Sequence, residues 1–428
     1  MADLRRLKRS FYVLTGLRWL PVGAVIPFGI LFMQERGLDL GDIGLAVAAY
    51  GVTVAVLELP TGGLADTLGR RPILLTAELV GDLGLLLFLF ADSLPRFAIA
   101  WAVMGIGRAL NSGALEAWFV DEAMRVEPGI EIHGPLSVAG VVGALALGLS
   151  AVAGGLVPKI LDSGWSFGGT VISEVATPIL VALALGVVHL VAVWALVRED
   201  HRTGSSNRLG AALADVGPTI KRALTLAAKQ PVIRSLLLAM LAAGLALSSV
   251  EVLWQPHFAD LAGGAKGRTE LFGVIAAIGF AAAAVGSGLS PRLVKVLRGH
   301  PALAGLVATA GVGAALLGLA SSKWILMAGA AYVVFYVFVG VIGPLQSELL
   351  HRQISSEERS TMLSTNSLSL QLGGVAGTVG IAALAAATSI AFAWVAAGAV
   401  VAPAALFYWA IHRNLRSTPQ DDADRGPV

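Results

Sequence analysis

Apolar residues run along this chain in long blocks, separated by short polar or glycine-rich stretches. A helix needs about 20 residues to cross the hydrocarbon core of a bilayer at about 1.5 Å per residue, and most of the blocks reach that length. The pattern predicts twelve spans, at 10–33, 41–65, 73–90, 97–121, 135–157, 172–197, 231–258, 270–290, 301–320, 323–350, 359–385 and 389–412. The longest polar connection, Arg198 to Gln230, divides them six and six. The expected fold class is therefore an all-α membrane protein, with twelve transmembrane helices in two pseudo-symmetric six-helix bundles. Its expected parts are an N-terminal bundle over 1–197, a cytoplasmic linker over 198–230, a C-terminal bundle over 231–412 and a disordered cytoplasmic tail over 413–428. Within the linker, Ala211 to Ala228 has the character of an amphipathic helix lying on the membrane surface.

A weak internal repeat agrees with a duplicated bundle. Pro27 and Pro256, Gly44 and Gly273, and Ala48 and Ala277 all recur at one offset, so the first helix pair aligns with the seventh and eighth without gaps.

Composition sharpens the picture. Hydrophobic residues make up 56% of the chain and charged residues 14%, too few charges for a soluble surface of this size. The mean hydropathy of +0.78 agrees. There is no cysteine, which excludes disulfides, thiolate metal sites and a thiol nucleophile. No GxxxxGK[ST] phosphate loop, nucleophile and base pair or metal-ligand cluster stands out, so no enzyme activity, cofactor, metal or nucleic-acid partner is expected. Net charge is only +2, but roughly two thirds of the 30 lysines and arginines fall on one side of the predicted topology, against a fifth on the other. That bias puts both termini in the cytoplasm and the protein in the cell inner membrane as a multi-pass protein. Arg5, Arg6, Lys8 and Arg9 before an apolar run look like a secretory signal, but Arg18 interrupts the run and further spans follow, so the first helix is expected to stay uncleaved. Nothing in the sequence demands more than a monomer.

Between the second and third spans lies LPTGGLADTLGRRP, Leu59 to Pro72. Its Gly63, Leu64, Asp66, Gly69, Arg70 and Arg71 resemble the signature of the major facilitator superfamily, and the resemblance extends over residues 10 to 412. It implies a secondary transporter in which helices one, four, seven and ten line a central cavity, with Arg18, Arg108 and Glu251 on its wall. It also implies a conformational latch of Gly63, Asp66, Gly69, Arg70 and Arg71, completed by Asp121 or Glu122 and with the eleventh helix docked on Asp66. In the fourth helix, GIGRALNSGALEAW puts Arg108 where the family has an arginine linked to proton transfer. The fifth helix keeps Gly148, Gly154 and Gly155 but lacks the glycine-proline pair usual in drug and proton antiporters of the family. In the second half the signature decays to GSGLSPRLVKVLRG, Gly286 to Gly299, which has lost the acid.

A charge near the bilayer centre costs about 2.5–3.5 kcal/mol on insertion scales, so each one needs a reason. The candidates are Arg18, Glu58, Glu78, Asp82, Arg108, Glu116 and Glu251, with His189 as an eighth. Glu58 and Glu78 lie about two helical turns from the signature turn, where partial solvation accounts for them. Proton-coupling candidates are Asp82, Glu251, Arg108, Glu58 and Glu116. For Arg108 and Asp82 a structural ion pair is the competing reading, and for Glu251 a water-filled mouth. Substrate-cavity candidates are Arg18, Trp19, Trp254, Gln255, Tyr332, Tyr336 and Asn366, with Gln371 a further hydrogen-bonding group. These residues point to an alternating-access transporter, exporting hydrophobic or cationic small molecules against protons. An importer of an anionic metabolite, held by Arg18 and Arg108, is the alternative, and a lipid-handling or receptor protein on the same fold is another.

Overall fold

A computed structural model describes residues 2–61, 68–161, 164, 166–167, 170–198, 225–226, 228–354 and 359–417. Eleven helical segments in it are long and apolar enough to cross a membrane. The first crossing is α1, Ala2–Val25, continued after a break by the short α2, Gly29–Glu35. The second and third are α3, Leu40–Thr61, and α4, Arg70–Phe90. The fourth, expected as one helix at 97–121, is two: α5, Leu94–Leu110, and α6, Ala114–Val126. Gly113 stands between them at φ +70, a left-handed conformation costly to any residue with a Cβ, so the helix cannot run straight through. The fifth and sixth are α7, His133–Ile160, and α8, Thr177–Leu196. In the second half come α9, Pro231–Ala262, α10, Thr269–Val296, α11, Pro301–Ser321, and α12, Ile325–His351. The eleventh crossing is α13, Arg359–Ala376, a π segment at Gly377–Ile381, and α14, Ala382–Ala387; α15, Ile390–Ser417, is the last.

Twelve crossings in two six-helix bundles result, as the hydrophobic pattern predicts. Besides the divided fourth crossing, two details differ from expectation. A two-residue hairpin, β1 (Ser166–Phe167) against β2 (Thr170–Val171), occupies part of the loop before α8. The last helix runs on to Ser417, into the stretch expected to be disordered from 413. The surface helix expected at 211–228 and the tail beyond 417 lie outside the described residues, apart from positions 225, 226 and 228.

In the first half α1 packs on α7 and α8, and α5 on α3 and α4; in the second, α9 packs on α13 and α15, α10 on α12, and α11 on α12 and α15. An even number of crossings brings the start of α1 and the end of α15 to one end of the molecule. There the halves keep separate cores: Phe11, Leu74, Phe119 and Val193 in the first, Ile233, Leu350, Met362 and Tyr408 in the second. Toward the far end a single core crosses between them, joining Phe28, Phe32, Phe88 and Phe97 to Trp254, Phe258, Tyr332 and Trp394.

The far end is thus where the halves seal. Helix α7 meets α10 so closely there that a Cβ on Gly155 would stand 2.8 Å from the Thr269 carbonyl oxygen. The Thr269 hydroxyl donates to the Gly155 carbonyl at 2.9 Å, and Lys159 pairs with Glu270 at 2.7 Å. The break between α1 and α2 joins the seal. Pro27 offers no N–H, and the backbone groups freed around it are taken by Gln255 of α9: its amide donates to the Ile26 carbonyl at 2.8 Å, and its oxygen accepts from Ile30 N at 3.1 Å and Leu31 N at 3.4 Å.

Candidate functional site

Between the halves lies a cavity of about 510 Å³. From the first half it is lined by Arg18 and Trp19 of α1, Tyr50 of α3, Glu78 and Asp82 of α4, and Trp101, Arg108 and Asn111 at α5. From the second come Glu251, Trp254 and Gln255 of α9, Tyr332 and Tyr336 of α12, and Gln371 of α13. Glu251, Trp254 and Gln255 share a helical face because residues three and four apart are neighbours, and Tyr332 and Tyr336 pair for the same reason, ring centroids 4.8 Å apart. Trp254 packs against Tyr332 at 5.6 Å, so the second-half wall is a continuous aromatic surface.

Three charged side chains lining this cavity, Glu251, Arg108 and Asp82, have no hydrogen bond or ion pair among the described residues. Glu251 is deep between the bundles yet exposed, because the cavity reaches it, and no hydrogen bond or ion pair holds it among the described residues. Arg108 on the opposite half is likewise exposed to the cavity and unpaired. Tyr50 lies within electrostatic reach of both. Arg18, by contrast, is 3.5 Å from Glu116, and its guanidinium sits 5.5 Å from the ring of its neighbour Trp19.

Behind the first-half wall is a polar cluster. Asn111 donates to Glu78 Oε1 at 2.7 Å, and His189 Nδ1 meets Glu78 Oε2 at 2.9 Å. Asp82, one turn along α4, backs onto Gly186 of α8, where no side chain would fit.

The remaining expected site residues lie elsewhere. Glu58 is outside the cavity lining and bonds Ser367 at 3.0 Å and Ser112 at 3.4 Å. Asn366 is also outside it; it accepts from Gln346 at 3.1 Å in a buried network with Tyr408, because Gln346 rather than the cavity is its nearest polar neighbour. Gln255 borders the cavity, but its amide is spent on the α1–α2 break. Of the latch, Gly63 and Asp66 lie outside the described residues. Gly69 caps α4 at φ 91, Arg70 pairs with Asp121 at 3.4 Å, and Arg71 donates to the Trp194 carbonyl at 2.7 Å.

Tyr50, Trp101 and Asn111 are cavity residues that the sequence reading does not single out. An aromatic residue on an apolar helix carries no mark that separates wall from packing; the Asn-Ser-Gly turn at 111–113 is the one available signal. No three His, Asp or Glu side chains converge as a metal site among the described residues.

Sequence and structure comparisons fit this architecture. Inner membrane transport protein YajR of Escherichia coli (strain K12) is 32% identical over 115 residues, 26% of this chain and 24% of YajR. Quinolone resistance protein NorA of Staphylococcus aureus is 25% identical over 196 residues, 44% of this chain and 45% of NorA. The chain thus covers about a quarter of YajR and under half of NorA. Among solved structures the nucleoside transporter NupG superposes with a TM-score of 0.74 at 12% identity, over 95% of this chain and 98% of NupG, a likeness of fold alone. Residues 11–378 match the Major Facilitator Superfamily. Matched over most of its length, and folded as two six-helix bundles about a central cavity, the chain belongs to that superfamily.

Proposed function

We propose that this protein is a proton-coupled secondary transporter that exports hydrophobic, cationic small molecules by alternating access between its halves, residues 1–197 and 231–412. The carrying observation is Glu251: an unpaired carboxylate facing a cavity walled by Trp254, Tyr332, Tyr336, Trp101 and Tyr50. Aromatic faces attract a desolvated cation by about 0.5–2 kcal/mol each, and an ionised carboxylate among them supplies the counter-charge. The excess of basic residues at the end carrying the termini favours a cytoplasmic location for that end in the inner membrane. With the far end sealed, this state is then inward-facing, ready to load from the cytoplasm. The latch of Asp66, Arg70 and Asp121 would hold the opposite state shut. A proton moving inward through 100 mV supplies about 2.3 kcal/mol per charge. One observation favours a second reading, import of an anionic metabolite: Arg108 faces the same cavity unpaired.

Proton flux in sealed proteoliposomes under an imposed pH gradient tests both. Flux evoked by lipophilic cations and abolished in Glu251→Gln supports export of cations. Flux evoked only by small organic anions, and lost in Arg108→Gln, favours import. Absence of either response sinks both.

A further inference from the structure

Glu78 and His189 occupy a setting that neither packing nor the cation site explains. They come from α4 and α8, 2.9 Å apart, with side-chain exposures of 14% and 2%. Glu78 reaches the cavity wall while the imidazole is sealed behind it. Both carboxylate oxygens are held, one by His189 and one by Asn111 at 2.7 Å. The second imidazole nitrogen, Nε2, is buried with no partner among the described residues.

We propose that Glu78 and His189 together form the proton-binding site of the first half, and that a proton there exchanges against a cation in the cavity. The second clause rests on the export reading above; the first does not. A proton entering from the cavity adds to the Glu78 carboxylate, and because Nδ1 already carries the hydrogen it donates, the added proton stays on the acid. The pair changes from a carboxylate beside a neutral imidazole, net charge −1, to a carboxylic acid beside the same imidazole, net charge zero. The bond between them survives both states, since Nδ1–H donates to Oε2 before and after protonation. His189 is thus a positioning residue that holds Glu78 at the cavity wall in either state.

The sign of the coupling follows from electrostatics. A cation in the cavity favours the −1 state, so it expels the proton; the proton in turn weakens cation binding, which is the exclusion that exchange requires. The charged groups in electrostatic reach of the pair are Asp82 on α4, which opposes the −1 state, and Arg18 on α1, which favours it, and Arg108 on α5 lines the same cavity. Glu116 on α6 partly cancels Arg18 through their ion pair. Helix α8 contributes only His189. Of the other first-half acids considered for proton coupling, Glu116 holds Arg18 and Glu58 bonds serines outside the cavity, while Asp82 lines the cavity without a hydrogen bond and is the rival the test must separate.

The test uses the purified full-length protein in weakly buffered detergent with a pH-sensitive dye, and tetraphenylphosphonium as the probe. Wild type is expected to release close to one proton per cation bound. Glu78→Gln and His189→Gln are expected to bind the probe and release at least tenfold less, eluting as monodisperse, cooperatively melting protein. Glu58→Gln, outside the cavity lining, should release as wild type does. Release undiminished in Glu78→Gln, or abolished in Asp82→Asn alone, would overturn the assignment. Wild type that fails to bind tetraphenylphosphonium would instead remove the cation clause, and infrared difference spectra between pH 5 and pH 9 then decide the site by themselves. Carboxyl and imidazole bands lost in both Glu78→Gln and His189→Gln support it, and bands unchanged in either refute it.

Discussion

Replacing Gly155 with alanine tests whether the seal at the far end sets the conformational equilibrium. The added Cβ would stand 2.8 Å from the Thr269 carbonyl oxygen and 3.0 Å from Glu270 Cα, both on α10 of the other half. Carbon atoms in ordinary contact keep about 3.5–4.0 Å, so α7 and α10 must part by about half an ångström or more. The obstacle is backbone, which cannot swing aside as a long side chain would. Parting also stretches the Thr269 bond to the Gly155 carbonyl. Overpacking of this kind costs about 1–3 kcal/mol. Because the contact joins the halves, that cost falls on the far-closed state alone. At about 1.4 kcal/mol per tenfold, the equilibrium moves roughly 5- to 150-fold toward opening of the far end.

The absence of cysteine makes this measurable without background. A single cysteine replacing Ser248, which lines the cavity, reports its accessibility. With Gly155→Ala added, a membrane-impermeant maleimide supplied at the far side should label that cysteine faster by a factor in the same range. Labelling from the side of the termini should slow. Unchanged rates in both directions, from protein that still folds, would refute the claim that this helix contact holds the far end shut.

Three further outcomes are expected. Gln255→Leu leaves the Ile26 carbonyl and the Ile30 and Leu31 amides without a partner, at about 1–3 kcal/mol per buried group; far-side labelling should rise as for Gly155→Ala, and labelling equal to wild type would detach Gln255 from the seal. Gly69→Ala forces a Cβ into a backbone at φ 91, costing about 1–2 kcal/mol, and should lower the melting temperature in detergent by a few degrees; an unshifted Tm would contradict the turn as built. The Lys159–Glu270 pair has side-chain exposures of 52% and 36%, so a double-mutant cycle should give a coupling below about 1 kcal/mol that fades with salt, and a larger, salt-insensitive value would count against a solvated pair.

The crossings are legible in the sequence because a bilayer imposes one length and one polarity on every helix, and no tertiary partner can override it. The interruptions are not legible in the same way. Pro27 marks the break between α1 and α2, yet Pro158, Pro256, Pro291, Pro344 and Pro403 all lie inside continuous helices. What separates Pro27 from the rest is Gln255, more than 200 residues away, whose amide takes up the backbone groups that the break releases. Local sequence holds the proline; only the fold supplies its compensation.

The site divides along the same line. Glu251, Arg108 and the Trp254, Tyr332 and Tyr336 surface can be found from sequence because a charge, or an aromatic cluster beside one, is conspicuous on an apolar helix. Glu78 is equally conspicuous, but its distance from the signature turn invites an account by solvation. That account fails once α8 brings His189 to within 2.9 Å and the α5–α6 turn brings Asn111 to within 2.7 Å. Three polar residues from three crossings, each with a plausible reason of its own to be harmless, become one cluster only in the folded bundle. The consequence for mechanism is a division of labour. The unpaired carboxylate of the second half faces the cavity free, while the first half presents Glu78 at the wall and keeps the imidazole that holds it behind. With both Glu78 oxygens held by His189 and Asn111 and Glu251 held by nothing among the described residues, a cation in the cavity would pair with Glu251 and act on Glu78 through charge, so binding and protonation can be altered separately by mutation.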